Sequence, residues 1–297
     1  MMYNHLIKRL YRIAWLSALL IGGSCFWGAG VGMAQSSPLP PAMVAKEKPI
    51  GQNIHLHYNI YVRGYHFVNV DADYVLHPWG YGIQTHLYSV GLASWFFTVN
   101  LLSTAQGHFN EASTRPLSYD NRGFSRGEEL HTHIEFDHAG PHVTVLQPPE
   151  TGREAMPEVE FRQSVDMLSY LIGLVHHMDV HQSCTTGQSV FDGIRLSYMD
   201  MHGPFKTTLP KDHHPFYTGD AMRCDFTGKQ IGGFSIGSPF KDAKATPHPG
   251  SVWFVRDPKA GLIPVRLQFS HPKIGMLLVV LQTPPYLSAV PAQAAPK

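Results

Sequence analysis

Apolar and polar residues alternate along much of the chain from His55 onward, and a period of two is typical of β-strands with one buried face. His55 to Val62 alternates in this way, Arg63-Gly64 interrupts the pattern, and Tyr65 to Leu76 resumes it, which predicts a hairpin. Similar segments recur to residue 282, with weaker strands near 98–104 and 107–109 and a polar loop from there to Glu129. We therefore predict about ten strands, rich in β-branched and aromatic residues.

An antiparallel sheet of this size has to curl or close on itself. The pattern therefore favours a mainly β fold: a strongly curved antiparallel sheet or partly open barrel, with one buried helix on its concave side.

That helix is expected at about residues 166–178. Ser164 or Asp166 can accept a hydrogen bond from an amide of the first turn. A stripe at helical spacing (Leu168, Leu171, Ile172, Val175) is joined by apolar residues on other faces (Met167, Tyr170, Leu174, Met178), so the helix should be covered on most sides. The segment is shorter than the roughly 20 residues that a membrane span needs.

The first 34 residues read as a cleavable export signal. Lys8, Arg9 and Arg12 precede an apolar run from Ile13 to Val31, and Gly32-Met33-Ala34 offers small residues for cleavage after Ala34. A lipid anchor at Cys25 and retention of the run as a membrane anchor are the alternatives. Export places the mature protein in the periplasm.

Composition divides the rest of the chain. Residues 35–50 are rich in Pro, Ala and Ser and read as a flexible leader, residues 51–283 as a single β-rich domain, and residues 284–297 as a disordered tail. Without the three basic residues of the signal, 20 basic residues face 22 acidic ones, a formal charge of −2. Such a charge does not indicate nucleic-acid binding.

Cleavage removes Cys25 and leaves Cys184 and Cys224, an even number in an oxidising compartment. We expect them to form one disulfide bond between the helical region and a strand. A redox pair normally occupies a Cys-x-x-Cys turn, and two cysteines supply half of a structural zinc site, so these alternatives are weaker.

Several short motifs occur in order over nearly the whole mature chain: Tyr58, Tyr61 and Gly64 in the first hairpin, Gly91-Leu-Ala-Ser-Trp95, Asp166-Met-Leu-Ser169, Ser189-Val-Phe-Asp-Gly193, Gly219-Asp-Ala-Met-Arg-Cys224, Ile231-Gly-Gly-Phe234, Val252-Trp-Phe254 and Ile263-Pro-Val-Arg266. Together these motifs resemble those of the exported bacterial family named domain of unknown function 3108. The resemblance implies an envelope protein with a β-rich fold, and it transfers no catalytic residues or cofactor.

Histidine is abundant, at 19 residues, and suggests a metal site as one candidate. On a strand His131 and His133 face the same side, and His138 or His142 across a hairpin could supply a third ligand. Solvent-facing histidines on a half-exposed sheet explain the same pattern, and we assign no metal ligand.

Two other motifs are only weak indications of a catalytic or binding site. Gly233-Phe234-Ser235-Ile236-Gly237 matches a hydrolase nucleophile elbow, but three prolines follow where the required helix should begin. Asp192-Gly193 lies within a strand pattern, and the charged residues closest to the motifs are Asp166, Arg195, Asp200 and Arg223. A polar cluster near the helix could bind a ligand, but Asp-Gly within a strand pattern more often marks a bulge or turn.

An apolar pocket is the functional site that we favour. Trp95, Phe96, Met167, Tyr170 and Leu174 could line a cavity between the helix and the curved sheet, as in barrels that hold one small ligand. We therefore expect a non-enzymatic periplasmic protein, either structural or binding an apolar, lipid-like envelope molecule. An uncharacterised envelope enzyme, marked by an acid, base or nucleophile within hydrogen-bond reach, is the alternative; metal binding by histidines ranks lower.

Overall fold

In the computed structural model of the chain, the alternating segments among the described residues form one antiparallel sheet of 14 strands. The structure describes residues 52–95, 97–111, 113–212, 215–271 and 275–289. The predicted signal peptide, the leader and Phe96 lie outside these residues. The strands are β1 (Gln52–Val62), β2 (Tyr65–His77), β3 (Gly80–Ser89), β4 (Val99–Asn110), β5 (Ser113–Ser125), β6 (Glu128–Asp137), β7 (Gly140–Gln147), β8 (Thr186–Phe191), β9 (Leu196–Thr208), β10 (Asp220–Gly232), β11 (His248–Asp257), β12 (Gly261–His271), β13 (Gly275–Leu281) and β14 (Tyr286–Ala289).

The strand order is β7-β6-β5-β4-β3-β2-β1-β13-β12-β11-β10-β9-β8, with β14 also pairing with β1. Each half of the sheet is thus a meander, and the first strand joins the halves by pairing with β13 and β14. The strongly curved sheet forms a nearly closed barrel. The prediction of a curved, mainly β fold is confirmed, but the expected number of about ten strands was too low.

A short helix, α1 (Glu158–Arg162), contacts both end strands, β7 and β8. The ring of Phe161 meets that of Phe191 on β8 edge-on, with 5.1 Å between centroids. On the β7 side the helix comes so close that a Cβ atom at Gly140 would lie 2.8 Å from Arg162 Cα. Helix α1 therefore covers the gap between the two ends of the sheet.

The predicted central helix is α2 (Met167–His181). Asp166, one of the two expected caps, is its N-cap, and its side chain accepts a hydrogen bond from the Ser169 amide. Leu168 and Ile172 join one core cluster, whereas Tyr170, Leu174 and Met178 join a second cluster with strands β8 to β12. The helix is therefore covered on several faces, but Leu171, predicted in the buried stripe, is 40% exposed.

The Sγ atoms of Cys184 and Cys224 lie at disulfide-bonding distance, as predicted. Both residues are fully buried beside Met178 of α2. The bond joins the segment that follows α2 to strand β10, so it fixes the exit of the helix to the sheet.

Besides α1, three segments differ from the expected pattern. Residues 113–125, expected within a polar loop, form β5, whose buried face is partly polar because it carries Asn121 and Ser125. Residues 286–289, expected in the disordered tail, form β14 because the end of β1 offers them a pairing edge. The third helix, α3 (Lys241–Ala245), is short and exposed. Within the described ranges, no helix has the length and apolar character of a membrane span.

Candidate functional site

The residues expected to line an apolar pocket are separated in the structure. Tyr170 and Leu174 are buried in a packed cluster with Val252 and Phe254, and Met167 packs against it. Trp95 ends a 3-10 helix, Gly91–Trp95, and is 80% exposed, because that helix lies at the surface beside β2. Of the expected pocket residues, Met167, Tyr170 and Leu174 therefore belong to a packed core, whereas Trp95 lies in solvent.

A chain of polar groups lies inside the barrel at the start of α2. The Tyr81 hydroxyl on β3 donates to Ser169 Oγ at 2.6 Å, and Ser169 Oγ donates to Asp166 Oδ2 at 2.5 Å. The Ser169 amide donates to the other carboxylate oxygen at 2.9 Å. These bonds tie the helix N-terminus to the wall of the barrel.

Burial is the main cause of the pKa shifts of the polar groups at the start of α2. Asp166 is fully buried, and burial raises its pKa to about 6, against the lowering effect of the hydrogen bonds from Ser169. Burial first, and then the charge of Asp166, raise the pKa of the Tyr81 hydroxyl far above its usual value. Ser169 is also fully buried. Because no substrate can reach these groups without opening the barrel, their role is to hold the helix.

A groove of about 350 Å³ lies on the opposite face of the sheet, across strands β9 to β13. Directly paired residues share one face, and here they form a polar row of four side chains: His202, Asp225, Ser251 and Gln268. Cys224, the neighbour of Asp225, faces α2, so the row faces away from the helix. Pro249 and Met276 add apolar surface. We call this the strand groove.

Polar side chains in the strand groove are already oriented by neighbours. Ser251 Oγ donates to Asp225 Oδ1 at 2.5 Å, and Arg223 Nη2 donates to Asp225 Oδ2 at 3.0 Å. Gln268 Oε1 accepts from Arg266 at 2.6 Å. The groove thus offers fixed polar groups beside apolar ones, a combination that can orient an amphiphilic molecule.

His131 and His133, which were considered as metal ligands, contact a carboxylate on the neighbouring strand. His131 Nε2 and His133 Nδ1 lie 2.8 and 3.1 Å from the same oxygen, Asp120 Oδ1. His142 pairs instead with Asp137 at 2.9 Å. Among the residues described, no group of three or more His, Cys, Asp or Glu side chains has the geometry to hold a metal ion.

The Asp192-Gly193 and Ser235 motifs both lie at or next to turns of the chain. Asp192 accepts hydrogen bonds from the amides of Ile194 and Arg195 and from the Arg195 side chain, so Asp192-Gly193 forms the turn between β8 and β9. Ser235 makes an isolated bridge with Arg153 and precedes a turn. The described helix that follows is the five-residue α3, which begins six positions later.

One group of three side chains, Asp73, His55 and Ser288, was not predicted from the sequence. His55 on β1 hydrogen-bonds through Nδ1 to Asp73 on β2 and lies 2.7 Å through Nε2 from Ser288 Oγ on β14. His55 and Ser288 are 233 residues apart, and Ser288 falls in the segment expected to be disordered. Only the pairing of β14 with β1 brings the three side chains together, so no local motif could reveal them.

Comparison with known proteins agrees with the resemblance found in the motifs. The family described as "Protein of unknown function (DUF3108)" matches residues 57–279, which include every strand from β2 to β12. The chain belongs to this family. No curated protein matches the DUF3108 chain.

A solved structure also resembles the DUF3108 chain. It is the "Beta-barrel-like Protein of Domain of Unknown Function DUF1849 from Brucella abortus", with 9% sequence identity and a TM-score of 0.46. The alignment covers 80% of this chain and 99% of that chain.

Proposed function

We propose that this DUF3108 protein is exported to the periplasm and binds an amphiphilic, lipid-like molecule of the envelope without transforming it. The binding part of the proposal rests on the strand groove. Its volume of about 350 Å³ lies within the usual range of small-molecule sites, roughly 300–1,000 Å³. The apolar surface would receive the acyl or other apolar part, and the Asp225, Ser251 and Gln268 row would orient the polar part.

This site replaces the one expected between helix and sheet. Tyr170 and Leu174 are covered by the side chains of the second core cluster, so a ligand there would have to displace packed groups. Opening a packed core forfeits burial of roughly 25 cal/mol per Å² of apolar surface. The strand groove is open to solvent and needs no such rearrangement.

Native mass spectrometry of the periplasmic protein, purified without detergent or histidine tag, tests this function. We expect the protein to begin at Gln35, to be two hydrogens lighter than its reduced form, and to carry a lipid that extraction identifies. A mass beginning at a lipid-bearing Cys25 would overturn the cleavage site. A clean apo mass would favour a structural or partner-binding role.

A pair of matched variants locates the ligand. Thr227 lies on β10 in the groove, and Thr208 is an exposed threonine on β9 outside it. We expect Thr227→Trp to fill the groove and remove the bound molecule, and Thr208→Trp to leave it. Equal retention in both variants would exclude the strand groove as the site.

A further inference from the structure

Asp73, His55 and Ser288 lie side by side on three adjacent strands. His55 and Asp73 are a directly paired couple between β1 and β2. On the other side His55 pairs with Tyr286, and Ser288 is two residues further along β14, so its side chain is on the same face. Backbone pairing therefore fixes the order carboxylate, imidazole, hydroxyl.

The hydrogen bonds set the role of each group. An ionised carboxylate can only accept, so Nδ1 of His55 carries the proton that it donates to Asp73. In the neutral imidazole Nε2 is then an acceptor, and the Ser288 hydroxyl, 2.7 Å away, can donate to it. This is the arrangement in which an imidazole acts as a base toward serine while a carboxylate holds its orientation.

The site is accessible to a reagent in solution. The side chains of His55 and Asp73 are 30% and 34% exposed, and Ser288 is half-buried. The exposed ring of Tyr286 lies beside His55, with 5.2 Å between ring centroids. This ring supplies an apolar surface beside the imidazole, on the same face of the sheet as Ser288, where the acyl part of an ester can rest.

We propose that Ser288 is a nucleophile that takes an acyl group from activated esters, with His55 as its base and Asp73 as the orienting carboxylate. Ser288 Oγ attacks the ester carbonyl carbon while its proton moves to His55 Nε2. The tetrahedral intermediate expels the alcohol, which takes that proton, and Ser288 is left acylated. Water, deprotonated by His55, then releases the carboxylic acid and restores Ser288.

A neighbouring pair provides the control. His57 contacts Asp71 on the same two strands, with 2.6 Å between Nδ1 and Oδ1, and lies on the same face as His55. His57→Gln therefore removes a comparable surface contact without removing the base of Ser288. Thermal unfolding of each variant establishes that it is folded.

The experiment uses the full mature protein and a fluorophosphonate probe, which loses fluoride when serine oxygen attacks its phosphorus. We expect one label, on the peptide that contains Ser288, and none in Ser288→Ala. A general base contributes on the order of 100-fold or more, so His55→Gln should slow labelling by roughly that factor and His57→Gln should leave it unchanged. Hydrolysis of p-nitrophenyl acetate should follow the same ranking.

Other outcomes would overturn the proposal. These are no label on Ser288 in the folded protein, a label of equal rate in wild type and His55→Gln, or equal slowing by His55→Gln and His57→Gln. The lipid test of the strand groove is independent, because its residues lie on β9 to β13 and Ser288 lies on β14. Either the lipid-binding proposal or the Ser288 proposal can therefore fail while the other holds.

Discussion

Gly193, in the turn between β8 and β9, lies directly against Thr132 on β6. A Cβ atom built on Gly193 would be 2.5 Å from Thr132 Cγ2, and Gly193 has a φ of +97°. Thr132 belongs to the first half of the strand order and Gly193 to the last. The contact therefore closes the barrel next to helix α1.

Gly193→Ala should destabilise the protein through both strain and overlap. Gly64→Ala is the matched control, because Gly64 has a φ of +86° and open space around it. Left-handed backbone costs alanine about 1 kcal/mol, and overlap at Gly193 should add roughly 1–3 kcal/mol to the loss. Urea unfolding of both variants measures the difference.

The effect of the steric overlap can be measured separately from that of the backbone strain by shortening Thr132. Thr132→Ser deletes Cγ2, so the double variant Gly193→Ala, Thr132→Ser should be more stable than the sum of the two single losses predicts. Strictly additive free energies of unfolding would show that the two residues do not meet.

The Tyr81 hydroxyl should contribute to stability, since it is buried and hydrogen-bonded to Ser169. We expect Tyr81→Phe to lower the free energy of unfolding by about 1–2 kcal/mol. Tyr74 is an equally buried tyrosine whose hydroxyl has no hydrogen-bond partner among the described residues. Tyr74→Phe should therefore be neutral or stabilising, and a similar loss in both variants would contradict the role of the polar chain.

Asp166 should make stability depend on pH. Its pKa is about 6 when folded and 3.8 in the reference state, so the folded protein binds its proton more tightly. Its contribution to stability therefore rises as pH falls from 7 toward 4, by at most about 3 kcal/mol, and is lost as pH rises through 6.

Unfolding in urea at several pH values checks this sign. Asp166→Asn keeps an acceptor for the Ser169 amide and should flatten the rise between pH 7 and pH 4. Asp220→Asn, at an exposed position on β10, should leave the slope as in wild type. An unchanged slope in Asp166→Asn would mean that another group titrates.

Reduction of the Cys184–Cys224 bond should also destabilise the fold. The two residues are 40 positions apart, and closing such a loop stabilises by about 4 kcal/mol in the chain-entropy model. The midpoint of urea unfolding should fall in reducing buffer. The variant with both cysteines replaced by alanine should unfold at a similarly low midpoint and not respond to reductant.

Much of the fold could be predicted because its signals are local. The alternation from His55 to Leu76 and a helix start at Ser164 or Asp166 depend on neighbouring residues; both strands form, and Asp166 is the cap. Strand β5 was missed because Asn121, a polar residue, occupies a fully buried position on its inner face. Helix α1 was missed because it has five residues and its two apolar residues, Val159 and Phe161, are two positions apart, which is not a helical spacing.

The candidate sites were harder to predict because strand pairing creates them. His202, Asp225, Ser251 and Gln268 come from four strands and share a face only in the observed register. Trp95 shows the opposite error, since its apolar side chain suggested a lining position and the 3-10 helix turns it toward solvent.

The position of β1 has a consequence for how the chain acquires its structure. Its partners on one side, β13 and β14, are the last of the described strands to be synthesised, while β2 is available at once. Until residues 275–289 arrive, the hydrogen-bonding edge of β1 from Gln52 to Val62 is open to any other extended chain. Newly made copies should therefore be most prone to aggregate just before their final segment is available for pairing, and a holding chaperone would be of most use at that stage.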